Sequence, residues 1–442
     1  MKFLDKKIMK KPLSKRKKIL GKRKQLNKTG TMLILFSILI LTPLCLQASK
    51  IKGRFYISDY YSSDSGNNDF NVLTSKLKIY KREDDESFLS FNLNGRSRTK
   101  ISDRDVHNKV PEYRFQDLWI GYKLPKKNLK ITLGRQLIGE MYNTSIDGIN
   151  VKYFINDRKG FGIFGGLAPD KYDNSFNTEF RSLGLYGFFE QNKFKLNFGY
   201  ENLNYNGKTD REYFSARLHS DLGSKVRLYA SSSISVDQIS DSFDVERVST
   251  SLQYTLSKPL RFNIFYNYYR AIKYFESSKQ FFDRIDRLDS YYLDTNSLTR
   301  VGMRVDYKLS RLLRLYTAVA YQQREVYNED AFRFTLGIKR LDFYGFDIST
   351  RYRHISNYTS TDDEFNVNIS RMIMNRLDIS VYASHEEEEL EIEGGFTSRI
   401  LTYGTSLYWQ INKHFFAMLF VERYDEEDYD NTSVFTQVGY RL

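Results

Sequence analysis

Val434-Phe435-Thr436-Gln437-Val438-Gly439-Tyr440-Arg441-Leu442 reads as a strand with two unlike faces. Val434, Val438, Tyr440 and Leu442 fall on one side, and Gln437, Gly439 and Arg441 on the other. Successive side chains of an extended chain point in opposite directions, so such an alternation sets an apolar surface against a polar one. Working back toward Ile51, the same device recurs. A run of about ten alternating residues is followed by a break, then by another run.

The breaks themselves alternate in kind. Tight turns are expected at Glu83–Glu86, Pro125–Asn128, Asn156–Gly160, Gln191–Lys193, Asp221–Lys225, Ser257–Pro259, Ser310–Arg311, Arg340–Asp342, Asn375–Arg376 and Asn412–Lys413. Longer polar connections are expected between them, among them Ser62–Asn68, Ser102–Pro111, Asp170–Phe180, Glu276–Asn296 and Asp425–Asn431. Short turns on one rim and loops on the other describe an all-β, antiparallel up-and-down barrel that crosses a membrane. The walk gives about 22 strands, within a range of about 18 to 24, and no plug domain. A crossing strand needs about 9 to 11 residues, which the chain length accommodates.

The cost of charge in lipid decides which way the strands face. An Arg or Lys on the lipid side at mid-membrane costs about 2–4 kcal/mol, so charged registers are expected to face the lumen. Val301, Met303, Val305 and Tyr307 then face lipid, with Arg300, Gly302, Arg304 and Asp306 inside. Phe332, Phe334, Leu336 and Ile338 face out, leaving Arg333, Thr335 and Lys339 inside. Phe346, Ile348, Thr350 and Tyr352 likewise face out over Asp347, Ser349, Arg351 and Arg353. A soluble sandwich or propeller would place polar side chains where these strands carry Phe, Tyr and Val.

The terminal strand resembles that of the Gram-negative outer-membrane β-barrel (porin-like) superfamily, which usually closes on Phe where this chain has Leu442. The resemblance implies an outer-membrane address, insertion by the outer-membrane assembly machinery, and contact with outer-membrane lipid and lipopolysaccharide. Leu133-Gly134-Arg135-Gln136 followed by Asp147-Gly148 looks like a short signature of several proteobacterial porin families. The same residues are also ordinary close-approach and turn chemistry.

The formal charge of +14 does not mark a nucleic-acid partner, because it is concentrated at the start of the chain. Residues 1–48 hold 13 of the 68 Lys and Arg and only Asp5 of the 54 acids, leaving 55 bases against 53 acids from residue 49 onward. The basic stretch through Lys28, the apolar core Met32–Leu41, and Leu46-Gln47-Ala48 read as a signal peptide over 1–48, ahead of a barrel over 49–442. The single cysteine, Cys45, lies inside that leader, so thiolate chemistry and disulfides are excluded from the remainder. A mean hydropathy of −0.54 argues against a helical membrane protein but not against a barrel, in which only alternate residues meet lipid. The 34 Tyr and 33 Phe suit aromatic girdles at the two interfaces.

Four constellations carry chemistry. Arg300, Arg304, Arg314, Arg333, Lys339, Arg351 and Arg353 form a cationic stripe on four consecutive strands. As pore-lining residues they would favour anions; alternatively they pair with Asp306, Asp347 and loop acids to brace the wall. His385–Glu393 and Asp425–Asp430 read as acidic outer loops without a defined calcium-loop spacing. The Gly-Arg-Gln and Asp-Gly pair is the third. The fourth, His354-Ile355-Ser356-Asn357, resembles the His-x-Ser-Asn core of outer-membrane phospholipase A, with His354 as base and Ser356 as nucleophile. Tyr358 stands where that family has Gly, and the amides Asn366 and Asn368 fall on the opposite register. No cofactor or metal is implied, and no enzyme is the leading reading. The expected function is a channel for small hydrophilic solutes, anions included. One rival is a barrel wrapping a periplasmic or lumenal electron-transfer or export partner; that partner must be a separate protein, since no Cys-x-x-Cys-His is present. The other rival is the hydrolase. Glu276–Asn296 is the expected constriction loop.

Overall fold

The computed structural model describes residues 51–66, 68–83, 88–100, 113–124, 128–141, 144–170, 174–237, 242–270, 297–324, 329–357, 359–390, 395–427 and 429–442. Their secondary structure consists of 22 strands. In chain order these are β1 (Lys52–Asp64), β2 (Asp69–Lys81), β3 (Leu89–Lys100), β4 (Tyr113–Lys123), β5 (Leu129–Leu137), β6 (Ser145–Asn156), β7 (Lys159–Leu167) and β8 (Phe180–Gln191). There follow β9 (Phe194–Tyr205), β10 (Lys208–Leu222), β11 (Val226–Asp237), β12 (Ser242–Thr255), β13 (Leu260–Arg270), β14 (Ser297–Lys308) and β15 (Leu313–Arg324). The last are β16 (Glu329–Phe343), β17 (Phe346–Ser356), β18 (Ser360–Ile373), β19 (Leu377–Leu390), β20 (Phe396–Gln410), β21 (Phe415–Glu426) and β22 (Tyr429–Arg441).

Each strand pairs antiparallel with the next, and β1 pairs with β22. The closing register sets Phe55 opposite Tyr440 and Ile57 opposite Val438, with Ser58 opposite Gln437 on the other face. The quoted terminal stretch is therefore the seam of the barrel. Closure leaves no free sheet edge, as a hydrocarbon environment demands.

The facing follows the charge argument. Ile120, Leu133, Ile163, Leu185, Phe198, Leu336, Phe365 and Val381 are each half or more exposed, and all sit on the outward register of their own strands. A continuous apolar belt of this kind is a lipid contact, not a soluble surface. The expected outward sets on β14, β16 and β17 are found, with Val301, Phe332, Leu336 and Tyr352 all exposed.

Seven of the ten expected tight turns fall between the strands they were expected to join, and two more, Glu83–Glu86 and Pro125–Asn128, lie largely outside the described residues. The tenth, at Arg340–Asp342, lies within β16 instead, and the chain reverses at Tyr344-Gly345. Ile338 faces Thr350 while Leu341 faces Ile348, so a bulge absorbs one residue and carries the strand further. Tyr344 and Gly345 have φ of 51° and 77°, the left-handed pair of a two-residue hairpin turn.

The opposite rim is not uniformly long. Asn206-Gly207 is itself a tight turn, and β21 and β22 are separated by residues 427–428 alone. The two acidic segments expected as outer loops are corrected accordingly: His385–Leu390 belongs to β19, and Asp425, Glu426, Tyr429 and Asp430 belong to β21 and β22. Strands β18 to β20 run to 14 or 15 residues, longer than a membrane crossing needs. Carboxylates are tolerated there because they face water or the lumen. The expected constriction loop Glu276–Asn296 and the connection Ser102–Pro111 lie outside the described residues.

Placing Lys at Leu336 should destabilise the refolded barrel by about 2–4 kcal/mol, whereas Thr335→Lys, one residue along on the lumenal face, should cost less than about 1 kcal/mol. Equilibrium unfolding in urea from lipid vesicles measures both; equal costs would contradict the facing.

Candidate functional site

The lumen wall divides into sectors of different chemistry. From β6 to β10 the inward register is crowded. Phe164 on β7 and Tyr186 on β8 are buried with Ile146 on β6 and Tyr213 on β10. Ile138 and Met141, from the β5–β6 connection, complete this cluster. They reach it because the inward residue of β9 at the contact is Gly199, where any Cβ would collide with Met141 Sδ. Ser215 Oγ, inward on β10, donates to the same sulfur at 3.7 Å.

Polar contacts hold the ends of this connection. Glu140 pairs with Lys152 on β6. Thr144 Oγ1 donates to the buried Glu201 carboxylate, which also accepts from Tyr213 OH and, at 2.6 Å, from Ser182 Oγ. The connection between β5 and β6 is thus packed against the lumenal side of the wall. Among the described residues, this connection is an inward-folded loop. The available signal was the pair of apolar residues Ile138 and Met141 in a connection that packs next to inward glycines such as Gly199.

At the rim beside this loop, the Gly-Arg-Gln and Asp-Gly stretches meet. Arg135 and Asp147 are register partners on β5 and β6 and form a two-pronged ion pair, with Nε to Oδ1 at 2.6 Å. Arg135 also donates to the carbonyls of Phe115 and Asn174, so four segments are tied at one guanidinium. Both side chains are nearly buried, at 10% and 12% exposure.

The expected cationic stripe is lumenal on β14 to β17, but its members differ in what they touch. Arg304 pairs with Asp306 at 3.0 Å, and Lys339 reaches the same carboxylate at 3.6 Å. Arg351 and Arg353 both pair with the buried Glu364 of β18, and Arg353 also reaches Glu386 at 3.5 Å. Arg314 stands exposed near the short-turn rim. Arg300 and Arg333 have no ion pair among the described residues. Arg300 lies over the Phe265 ring at 5.6 Å. Both border a recess of about 160 Å³ that also takes in Gln322 and Asn357, over a floor of Ala320 and Ile355.

Beyond β17 the wall turns acidic. Glu364, Glu386, Glu388, Glu422 and Glu426 lie on inward registers of β18, β19 and β21. Tyr382 OH donates to Glu422, and Ser398 Oγ donates to Glu426 at 2.6 Å.

His354 and Ser356 share the outward register of β17. His354 Nδ1 faces Asp363 Oδ1 of β18 at 3.0 Å, and the same oxygen accepts from Tyr352 OH at 2.6 Å. The histidine is therefore partnered by an acid on the neighbouring strand, not by Asn366 or Asn368. No hydrogen bond joins it to Ser356 among the described residues.

Residues 145–327 match the sequence family described as Gram-negative porin. No curated protein sequence matches the chain. Among solved structures, Acinetobacter baumannii OccAB4 is 11% identical with a TM-score of 0.44, covering 90% of this chain and 99% of its own. The outer membrane protein opdK from Pseudomonas aeruginosa is 8% identical with a TM-score of 0.45, covering 89% and 99%. Pseudomonas aeruginosa OccK7 (OpdD) is 9% identical with a TM-score of 0.45, again covering 89% and 99%. The closed barrel and its lipid-facing belt define a membrane-spanning β-barrel, and residues 145–327 of it are similar to Gram-negative porins of the outer membrane.

Arg135→Ala should cost about 3–5 kcal/mol by stranding the nearly buried Asp147. The urea midpoint of the refolded barrel should fall accordingly, and Arg135→Ala/Asp147→Ala should recover part of the loss.

Proposed function

We propose that the barrel conducts small hydrophilic solutes by passive or weakly selective diffusion, with a bias toward anions set by the lumenal bases of β14 to β17. The observation that carries this reading is the polar inward register, continued strand after strand around a closed barrel of 22. A barrel of that size leaves an aqueous bore unless something fills it. The β5–β6 connection narrows the bore from the β6–β10 side while leaving the charged sectors lining what remains.

Among the seven stripe residues, Arg300 and Arg333 border the recess without an ion pair among the described residues and Arg314 stands exposed near the short-turn rim, so these three can meet a passing anion. Arg304, Lys339, Arg351 and Arg353 brace the wall through Asp306, Glu364 and Glu386. Both readings of the stripe are thus represented on the same four strands. The inward loop weighs against a sheath for a folded lumenal partner, because it occupies the space such a partner would need. The His354–Asp363 pair is read as a rim contact, and the protein as a channel without catalysis. The leader through Ala48 would be removed on export, and the assembly machinery would insert the barrel.

In planar bilayers the refolded protein should conduct, and a KCl gradient should give a reversal potential on the anion-selective side. Arg300→Gln/Arg333→Gln should move that potential toward cations. Absence of conductance from folded protein contradicts the channel, and cation selectivity of the unaltered protein contradicts the bias.

A further inference from the structure

A second basic surface lies on the wall opposite the stripe, and it is built differently. Lys76 on β2 faces Arg96 on β3, and Arg96 faces Arg114 on β4. All three are on inward registers, as the exposed Leu73, Leu89 and Phe115 of the same strands face out. Neighbouring strands are about 4.8 Å apart, so three cationic positions follow one another across about 10 Å of wall. Arg98, two residues along β3, adds a fourth on the same face.

Like charges directly opposite each other in a sheet are destabilising. Elsewhere in this lumen the penalty is relieved by carboxylates, as Asp306 and Glu364 do for Arg304, Lys339, Arg351 and Arg353. Here it is not. Among the described residues, Lys76, Arg96, Arg98 and Arg114 form no ion pair, and the Arg96 guanidinium lies in the repulsive field of Arg98 and Arg114. Arg114 donates to the neutral Asn174 Oδ1 at 3.1 Å. The acid on the inward face of β4, Asp117, accepts from Asn94 at 3.2 Å instead. Among the described residues, the wall therefore presents a row of mutually repelling bases without a carboxylate partner.

We infer that the lumenal face of β2–β4 is a binding site for multiply charged anions, with phosphorylated solutes as the class it fits. The inference deepens the channel reading, on which its location in the pore rests. A single carboxylate would neutralise one of the four bases. A phosphate dianion presents three or more acceptor oxygens and two charges, which match adjacent guanidinium and ammonium donors. Such a site would concentrate the permeant at the wall while the opposite stripe, largely neutralised internally, holds it weakly.

Equilibrium binding to the detergent-refolded full-length barrel tests this without requiring conduction. Inorganic phosphate and acetate are titrated calorimetrically at one ionic strength and pH 8, with heat-modifiable gel mobility reporting folding. Phosphate should bind more tightly than acetate. Lys76→Gln/Arg96→Gln should weaken phosphate by about tenfold or more, while Arg376→Gln, the same kind of change at the β18–β19 turn, should leave it unaltered. Acetate binding as tightly as phosphate, no phosphate binding at all, or an undiminished affinity in Arg96→Gln would overturn the site. Phosphate binding by a protein that fails to conduct would uphold the site and overturn the channel reading separately.

Discussion

Everything in this structure depends on one constraint: a backbone in hydrocarbon has to satisfy its own hydrogen bonds. A helix does so alone, but a strand can do so only with neighbours on both sides. The pairing of β1 with β22 meets that condition for the whole sheet. Once closure is imposed, every strand has an inner and an outer face, and the period of two in the sequence becomes a separation of solvents. Outside, Leu185, Leu336 and Val381 meet lipid; inside, arginines and carboxylates meet water.

The interior then inherits a freedom that a soluble core lacks. Charges that would be prohibitive in a packed core are inexpensive in a wet lumen, so the wall can be divided into chemically distinct sectors. One sector is packed almost like a soluble core, where the β5–β6 connection seats Ile138 and Met141 against Tyr186 and Tyr213. Two sectors are basic, one braced by its own acids and one without an ion pair to its bases among the described residues. A fourth, β18 to β21, is acidic. Bore, charge and their asymmetry follow from which inward side chains each strand contributes, not from any change in the sheet.

The elements most legible in the sequence were those governed by alternation. The strand number, the facing of β14, β16 and β17, and seven of the turns all follow from apolar period and turn chemistry. Where the reading failed, a second principle was at work. Arg340–Asp342 carries turn-like polarity, but a bulge carries the strand two residues further to Tyr344-Gly345. His385–Leu390 looked like a loop because it is charged, yet a strand rising past the membrane has no need to be apolar. The inward loop was hidden because Ile138 and Met141 find their partners on β8 to β10, and no local pattern reports so distant a contact. The β2–β4 bases were missed for the same reason. Lys76, Arg96 and Arg114 become neighbours only when the register is known.

Cysteine scanning across Phe332–Leu336 separates lipid from lumen residue by residue, since the one native cysteine, Cys45, precedes the first strand in the sequence. Single cysteines at Phe332, Arg333, Phe334, Thr335 and Leu336 would be exposed to a membrane-impermeant, charged thiol reagent in refolded vesicles. Modification is expected at Arg333 and Thr335, and protection at Phe332, Phe334 and Leu336. Uniform modification, uniform protection, or the opposite alternation would contradict a lipid-embedded barrel with a water-filled lumen.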